Sequence, residues 1–215
     1  VPSHRRRLPV YLLLDTSGSM QGEPIEAVNT GLGVMIGALR QDPHALETVH
    51  ISIITFDAQA KVVLPLTALD ALQIPQIATP RSGPTHLGMA LETLNGRLQT
   101  EVRKANATEK GDWAPFLFVM TDGKPSDNQL YLEQSAIIKQ FGFASIVGCI
   151  AGPKAHQEDL QPLCDHIVSM DTMDGQGFTS FFKWVTSAIS RGNRSMGATT
   201  SVTLPPPPPE VQVVF

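Results

Sequence analysis

The chain has 215 residues, of which 42% are hydrophobic, enough to bury a full core in one domain without a structural metal or disulfide. A formal charge of −4, with no Lys/Arg stripe beyond Arg5-Arg6-Arg7, argues against a nucleic-acid partner, and that triplet reads as a solvated terminal flank. Two cysteines, Cys149 and Cys164, are too few for a disulfide scaffold; they read as buried reduced thiols of a cytoplasmic protein, with a bridge between them left open.

Residues 1–7 read as a flexible flank, the first four lacking a start methionine and resembling a cloning remnant. Residues 10–14 (Val-Tyr-Leu-Leu-Leu) are apolar without alternation, as in a strand buried on both faces of a parallel sheet. The run is far too short to span a bilayer and carries no cleavage-site pattern. It ends abruptly in Asp15-Thr16-Ser17-Gly18-Ser19.

Apolar residues at helical spacing then predict a helix over 24–40, with Pro24 in its first turn. Gly31, Gly33 and Gly37 lie inside that helix instead of at a strand-to-helix turn, so they are no dinucleotide fingerprint; packing of helix on sheet accounts for them. Residues 49–56 and 60–66 are two strand-like runs joined by three residues, which permits only an antiparallel hairpin, and Pro65 sends the second run to a sheet edge. An irregular stretch over 68–84 leads to a helix opening at Thr85, the expected cap residue, with Leu87, Leu91, Leu94 and Leu98 on one face.

A second buried strand, 116–120, also ends in polar residues, Thr121-Asp122-Gly123. Helix 128–141 with Ile137 and Ile138 inward, strand 143–150, helix 157–163, strand 166–170 and helix 179–190 complete the alternation. The expected fold is α/β: a doubly wound, mostly parallel sheet with one antiparallel edge hairpin and helices on both faces, over residues 8–191. Residues 192–215 form a proline-rich tail, in which Pro205 to Pro209 predict a polyproline rod of roughly 15 Å carrying an apolar, strand-like tip.

In open α/β sheets ligands bind at the carboxyl ends of the strands. Asp15, Ser17 and Ser19 end one strand, Asp122 ends another, and Thr85 begins a helix after a Gly-Pro loop. Two carboxylates and three hydroxyls form an all-oxygen set, suited to a hard divalent cation, with Mg²⁺ favoured because it keeps several waters. The incomplete shell leaves a coordination position open.

Asp15-Thr16-Ser17-Gly18-Ser19 resembles the D-x-S-x-S motif of von Willebrand factor A domains, whose metal-ion-dependent adhesion site is completed by a separate threonine and aspartate. Thr85 and Asp122 match those two in order and context, and the resemblance covers residues 8 to 190. It implies that the serines and threonine reach the metal directly or through water, that the aspartates act largely through waters, and that Mn²⁺ or Ca²⁺ can substitute for Mg²⁺ in vitro. Residues 7–11 and 22–28, Arg40-Gln41-Asp42-Pro43 at the helix end and the proline tail further resemble the bacterial TerY-like proteins of tellurium-resistance gene clusters. That resemblance implies a cytoplasmic, non-enzymatic module in stress resistance. Its protein partner would supply an Asp or Glu to the metal, a kinase or phosphatase of the same gene cluster being the candidate.

Other chemistries fit less well. An aspartate-nucleophile phosphatase wants D-x-D, and Ser17 stands where its second carboxylate would be. The phosphate-binding loop of NTPases and the G-x-S-x-G elbow of serine hydrolases have no counterpart. The histidines are scattered, which argues against zinc. His86 adjoins Thr85, Lys124 reads as a solvated loop lysine, and Asp57 and Asp127 read as turn or cap residues. A scaffold acting through the tail is the remaining alternative, its apolar tip adding a strand to a sheet edge in cis or, as self-association, in a neighbouring copy.

Overall fold

The computed structural model describes residues 6–79, 82–195 and 203–215. Strand β1 (Leu8–Asp15) is buried along its whole length. Because side chains alternate across a strand, Leu8, Val10, Leu12 and Leu14 join one core while Tyr11 and Leu13 join another. The unbroken apolar run of β1 is therefore two half-cores, one on each face of the sheet.

Around β1 lie β2 (Val49–Phe56), β3 (Ala60–Ala68), β4 (Phe116–Thr121), β5 (Ser145–Ala151), β6 (His166–Met170) and β7 (Gln212–Val213), in the order β3-β2-β1-β4-β5-β6-β7. β2, β1, β4, β5 and β6 pair in parallel, and β3 pairs antiparallel with β2, as the hairpin requires. The chain leaves β1 towards β2 on one side and returns to β4 on the other. The strand order thus reverses between β1 and β4, where an open sheet leaves a crevice at its carboxyl edge.

One face is covered by α1 (Glu23–Arg40) and α6 (Gly175–Ser195), the other by α3 (Leu87–Glu101), α4 (Asn128–Gln140) and the short α5 (Gln157–Leu160). Gly31 of α1 faces α6: a Cβ there would lie 2.2 Å from the Phe182 ring. Helix-to-helix packing, not the expected helix-to-sheet packing, explains this glycine, while Gly33 and Gly37 meet nothing within 4 Å. Cys149 and Cys164 are free and belong to cores on opposite faces.

Several expectations are corrected. Helix α1 ends at Arg40 as expected, and a short helix that was not expected follows at once: Asp42 accepts hydrogen bonds from the His44 and Ala45 amides and caps α2 (Pro43–Thr48). Helix α3 starts at Leu87, so Thr85 is not its cap. Asp127, just before α4, performs that task from outside the helix, its two oxygens accepting from Gly88 N (3.0 Å) and Met89 N (2.9 Å). Ile137 is 44% exposed, and Ile138 alone of that pair faces the core. Helix α6 begins before residue 179 and runs to Ser195, so the boundary drawn at residues 191 and 192 falls inside it. Arg6 and Arg7 are bonded to the loop preceding β4 instead of lying free.

The tail turns back onto its own domain. Trp184 Nε1 donates to the Pro205 carbonyl (2.9 Å), Val211 is buried, and β7 pairs antiparallel with β6. Both sheet edges are therefore antiparallel. Among the described residues, no helix is long and apolar enough to cross a membrane.

Candidate metal centre

Asp15 ends β1 and Asp122 directly follows β4, its parallel neighbour; with Leu14 opposite Met120, Asp15 stands level with Thr121, and both carboxylates lie at the crevice. Both are almost fully buried, at 1% and 3% exposure. After Asp15 the chain bends into a 3₁₀ turn, Gly18–Met20, which brings the serines back over the strand end. The Ser17 amide donates to Asp15 Oδ1 (2.7 Å), fixing the bend. Ser17 Oγ lies 3.2 Å from Ser19 Oγ and donates to Asp122 Oδ1 at 3.5 Å.

Thr85 comes from the opposite flank. Its amide donates to Ser126 Oγ (3.0 Å) and its carbonyl accepts from Ser126 N (2.8 Å), which ties the entrance of α3 to the loop after β4. Its hydroxyl points towards Gly123, where a Cβ would sit 3.7 Å from Oγ1. The residue beside Asp122 thus faces Thr85, and all five candidate residues gather at one crevice. Ser19 is the exposed member, while Ser17 and Thr85 are buried.

Two supports went unread in the sequence. Thr121 Oγ1 donates to Asp15 Oδ2 (2.7 Å), so each Asp15 oxygen has one protein donor. Asp57 closes its hairpin turn, as expected, but Oδ2 also accepts from Thr16 Oγ1 (2.9 Å) and its carbonyl accepts from His86 N (3.0 Å). It joins the two ligand-bearing loops from beneath. Thr121 lies within the Thr-Asp-Gly run, but its hydroxyl's direction depends on strand register, which the sequence does not display.

Burial pushes the Asp15 carboxyl up to about 6; the hydrogen bonds from Ser17 and Thr121 oppose this, and the nearby charge of Asp122 adds to it. Among the described residues no cationic side chain pairs with either buried carboxylate, and a divalent cation would supply the missing positive charge. The oxygen donors suit a hard ion. Among the described residues, no group of three or more His, Cys, Asp and Glu side chains gathers as a metal set, so hydroxyls are the larger part of the donor set here.

A model of the von Willebrand factor type A domain matches residues 10–182. A Synechocystis protein described as uncharacterized, sll0103, is 29% identical over 150 residues, 64% of this chain and 31% of that protein. Among solved structures, proximal thread matrix protein 1 of the mussel byssus with a zinc-occupied MIDAS motif superposes with a TM-score of 0.66 at 14% identity, over 85% of this chain and 48% of that one. A von Willebrand factor type A protein from Catenulispora acidiphila gives 0.63 at 16% identity, over 85% and 42%. The pilus adhesin SpaC of Lactobacillus rhamnosus GG gives 0.65 at 13%, over 87% and 31%. The chain spans less than half the length of each of these structures, and about a third of the Synechocystis protein.

Proposed function

Since the chain belongs to the von Willebrand factor type A domain family, whose members are typically metal-dependent interaction modules and not enzymes, we propose that it is a Mg²⁺-dependent protein-binding module. Asp15, Ser17, Ser19, Thr85 and Asp122 would hold the ion, Asp15 and Asp122 supplying charge and the hydroxyls supplying neutral oxygens. When bound, the cation provides a Lewis-acidic position that a carboxylate of another protein can fill. The observation that carries this reading is the pair of buried carboxylates bridged through Ser17 across the β1/β4 crevice.

The protein's own contribution is positioning. Thr121 and the Ser17 amide hold both Asp15 oxygens, and Asp57 holds the two loops at fixed separation, so the site is assembled before a partner arrives. The zinc in the mussel protein's motif supports a divalent ion at this position and leaves its identity to measurement. Mg²⁺ is our choice on ligand hardness, with Mn²⁺ and Ca²⁺ as substitutes.

The proposed partner presents an Asp or Glu, and the surrounding loops supply specificity. Resemblance to TerY-like proteins at residues 7–11, 22–28 and the tail supports a cytoplasmic role in tellurium or stress resistance, beside a kinase or phosphatase. A pull-down from lysate in Mg²⁺ and in EDTA tests the reading. A protein retained only with Mg²⁺, and lost with Asp15→Ala, supports it; identical captures in both buffers contradict it.

A further inference from the structure

The sheet edge opposite the metal centre is built differently. The loop over 102–115, between α3 and β4, is held by Asn106, whose Oδ1 accepts from Thr108 N (2.9 Å) and Glu109 N (2.8 Å). Gly111 lets the loop close on itself, since a Cβ there would lie 2.4 Å from Ala105 N. Arg6, just before β1, lays its guanidinium over the Trp113 ring at 3.6 Å and donates to the carbonyls of Gly111 (2.8 Å) and Asp112 (3.1 Å). Arg7 grips both oxygens of Asp112 (2.8 and 2.6 Å) and so spends that carboxylate's charge.

A cleft of about 590 Å³ lies between these groups. With Arg7 and Asp112 cancelling, Arg6, Arg103, Lys104 and Lys110 face it against the single carboxylate of Glu109. Among the described residues, no carboxylate comes within ion-pair distance of Arg103, Lys104 or Lys110. Five of the chain's 16 lysines and arginines therefore line one cleft in a protein of net charge −4. Five cations against two carboxylates leave a surplus of positive charge in the lining, which raises the local concentration of anions.

The shape and lining narrow the occupant. The cleft is much larger than one inorganic anion needs, and its cations are spread along the loop instead of converging on a point. The Trp113 face that could stack a nucleobase is taken by Arg6. We propose that this cleft is a second interaction surface, which takes an acidic peptide segment of a protein partner at the amino edge of the sheet. It works without metal, so it is independent of the metal centre at the opposite edge.

The test uses the full chain in metal-free buffer, with fluorescence anisotropy of a labelled oligoglutamate. Saturable binding is expected, weakening as salt rises, and at least about tenfold weaker in the triple variant Arg103→Glu/Lys104→Glu/Lys110→Glu. These three side chains are exposed, so the variant's melting curve serves as the folding control. Asp15→Ala should bind the peptide as the parent chain does. No binding by the parent chain, or equal binding by the triple variant, overturns the proposal. So does displacement of the peptide by an equal concentration of inorganic phosphate, which would mark a small-anion site, or tighter binding of an oligonucleotide.

Discussion

Asp15 is buried beside Asp122 and keeps its proton up to about pH 6, whereas an aspartate in an unfolded chain releases it near about 4. The metal-free folded state therefore binds more protons than the unfolded state in that window, and its stability falls as pH rises through it. A bound cation reverses the preference, so Mg²⁺ affinity should drop as pH falls through about 6. Asp15→Asn removes the buried charge while keeping an oxygen for Thr121 or Ser17. In melts at pH 8, that variant should equal or exceed the parent in EDTA and gain nothing from Mg²⁺, whereas the parent's midpoint rises with Mg²⁺. Asp15, Ser17 and Ser19 were legible because they are neighbours in sequence behind a buried strand; Asp122 and Thr85 were legible as a second strand end and a helix start converging on the same sheet edge, and the family resemblance then matched them to one motif. Thr121 and Asp57 were not legible as supports, because their hydrogen bonds arise only once β1 lies beside β4 and the hairpin beneath both.

Among the elements, long periodic or uniformly apolar segments were readable, and those held by distant partners were not. β1, β2, β4 and α1 declare themselves through local pattern. The first turn of α6 contains Gly175 and Gly177, poor helix formers, and depends on Asp174 Oδ1 accepting from Gly177 N (2.8 Å) and on the burial of Phe178. The start of α3 depends likewise on Asp127, far along the chain. Asp127→Ala should lower stability by about 1 kcal/mol, the usual cost of a lost helix cap, as read from the denaturant midpoint. Because the same contact fixes the helix that follows Thr85, Mg²⁺ affinity should fall too. Gly88→Ala should destabilise, although an ordinary helical Gly→Ala change stabilises, because its Cβ would meet Tyr131 N at 2.5 Å.

At the scale of the molecule, the parallel sheet places the candidate metal site at its carboxyl edge and the basic cleft at its amino edge, and the tail strand closes the β6 side. The tail's prolines and strand-like tip were visible in the sequence, and with them strand addition in cis as one option, but not the place of docking, which depends on Trp184 and an open β6 edge. A chain ending after Ser195 loses Val211 burial and the β7 pairing. It should be less stable by about 2 kcal/mol, the order of one buried aliphatic side chain, with Mg²⁺ binding unchanged. An unaltered denaturation midpoint would show that the tail merely rests on the surface.

We propose that five oxygen-bearing side chains at the β1/β4 crevice form one divalent-cation site. Titration calorimetry of the metal-free chain with Mg²⁺ at pH 8 tests it most directly, comparing the parent with Asp15→Ala, Ser17→Ala and Thr85→Ala. A single site is expected in the parent, with binding abolished by Asp15→Ala and weakened at least about tenfold by each hydroxyl removal. Undiminished Mg²⁺ binding in Asp15→Ala, or no binding by the folded parent chain to Mg²⁺, Mn²⁺ or Ca²⁺, would contradict it.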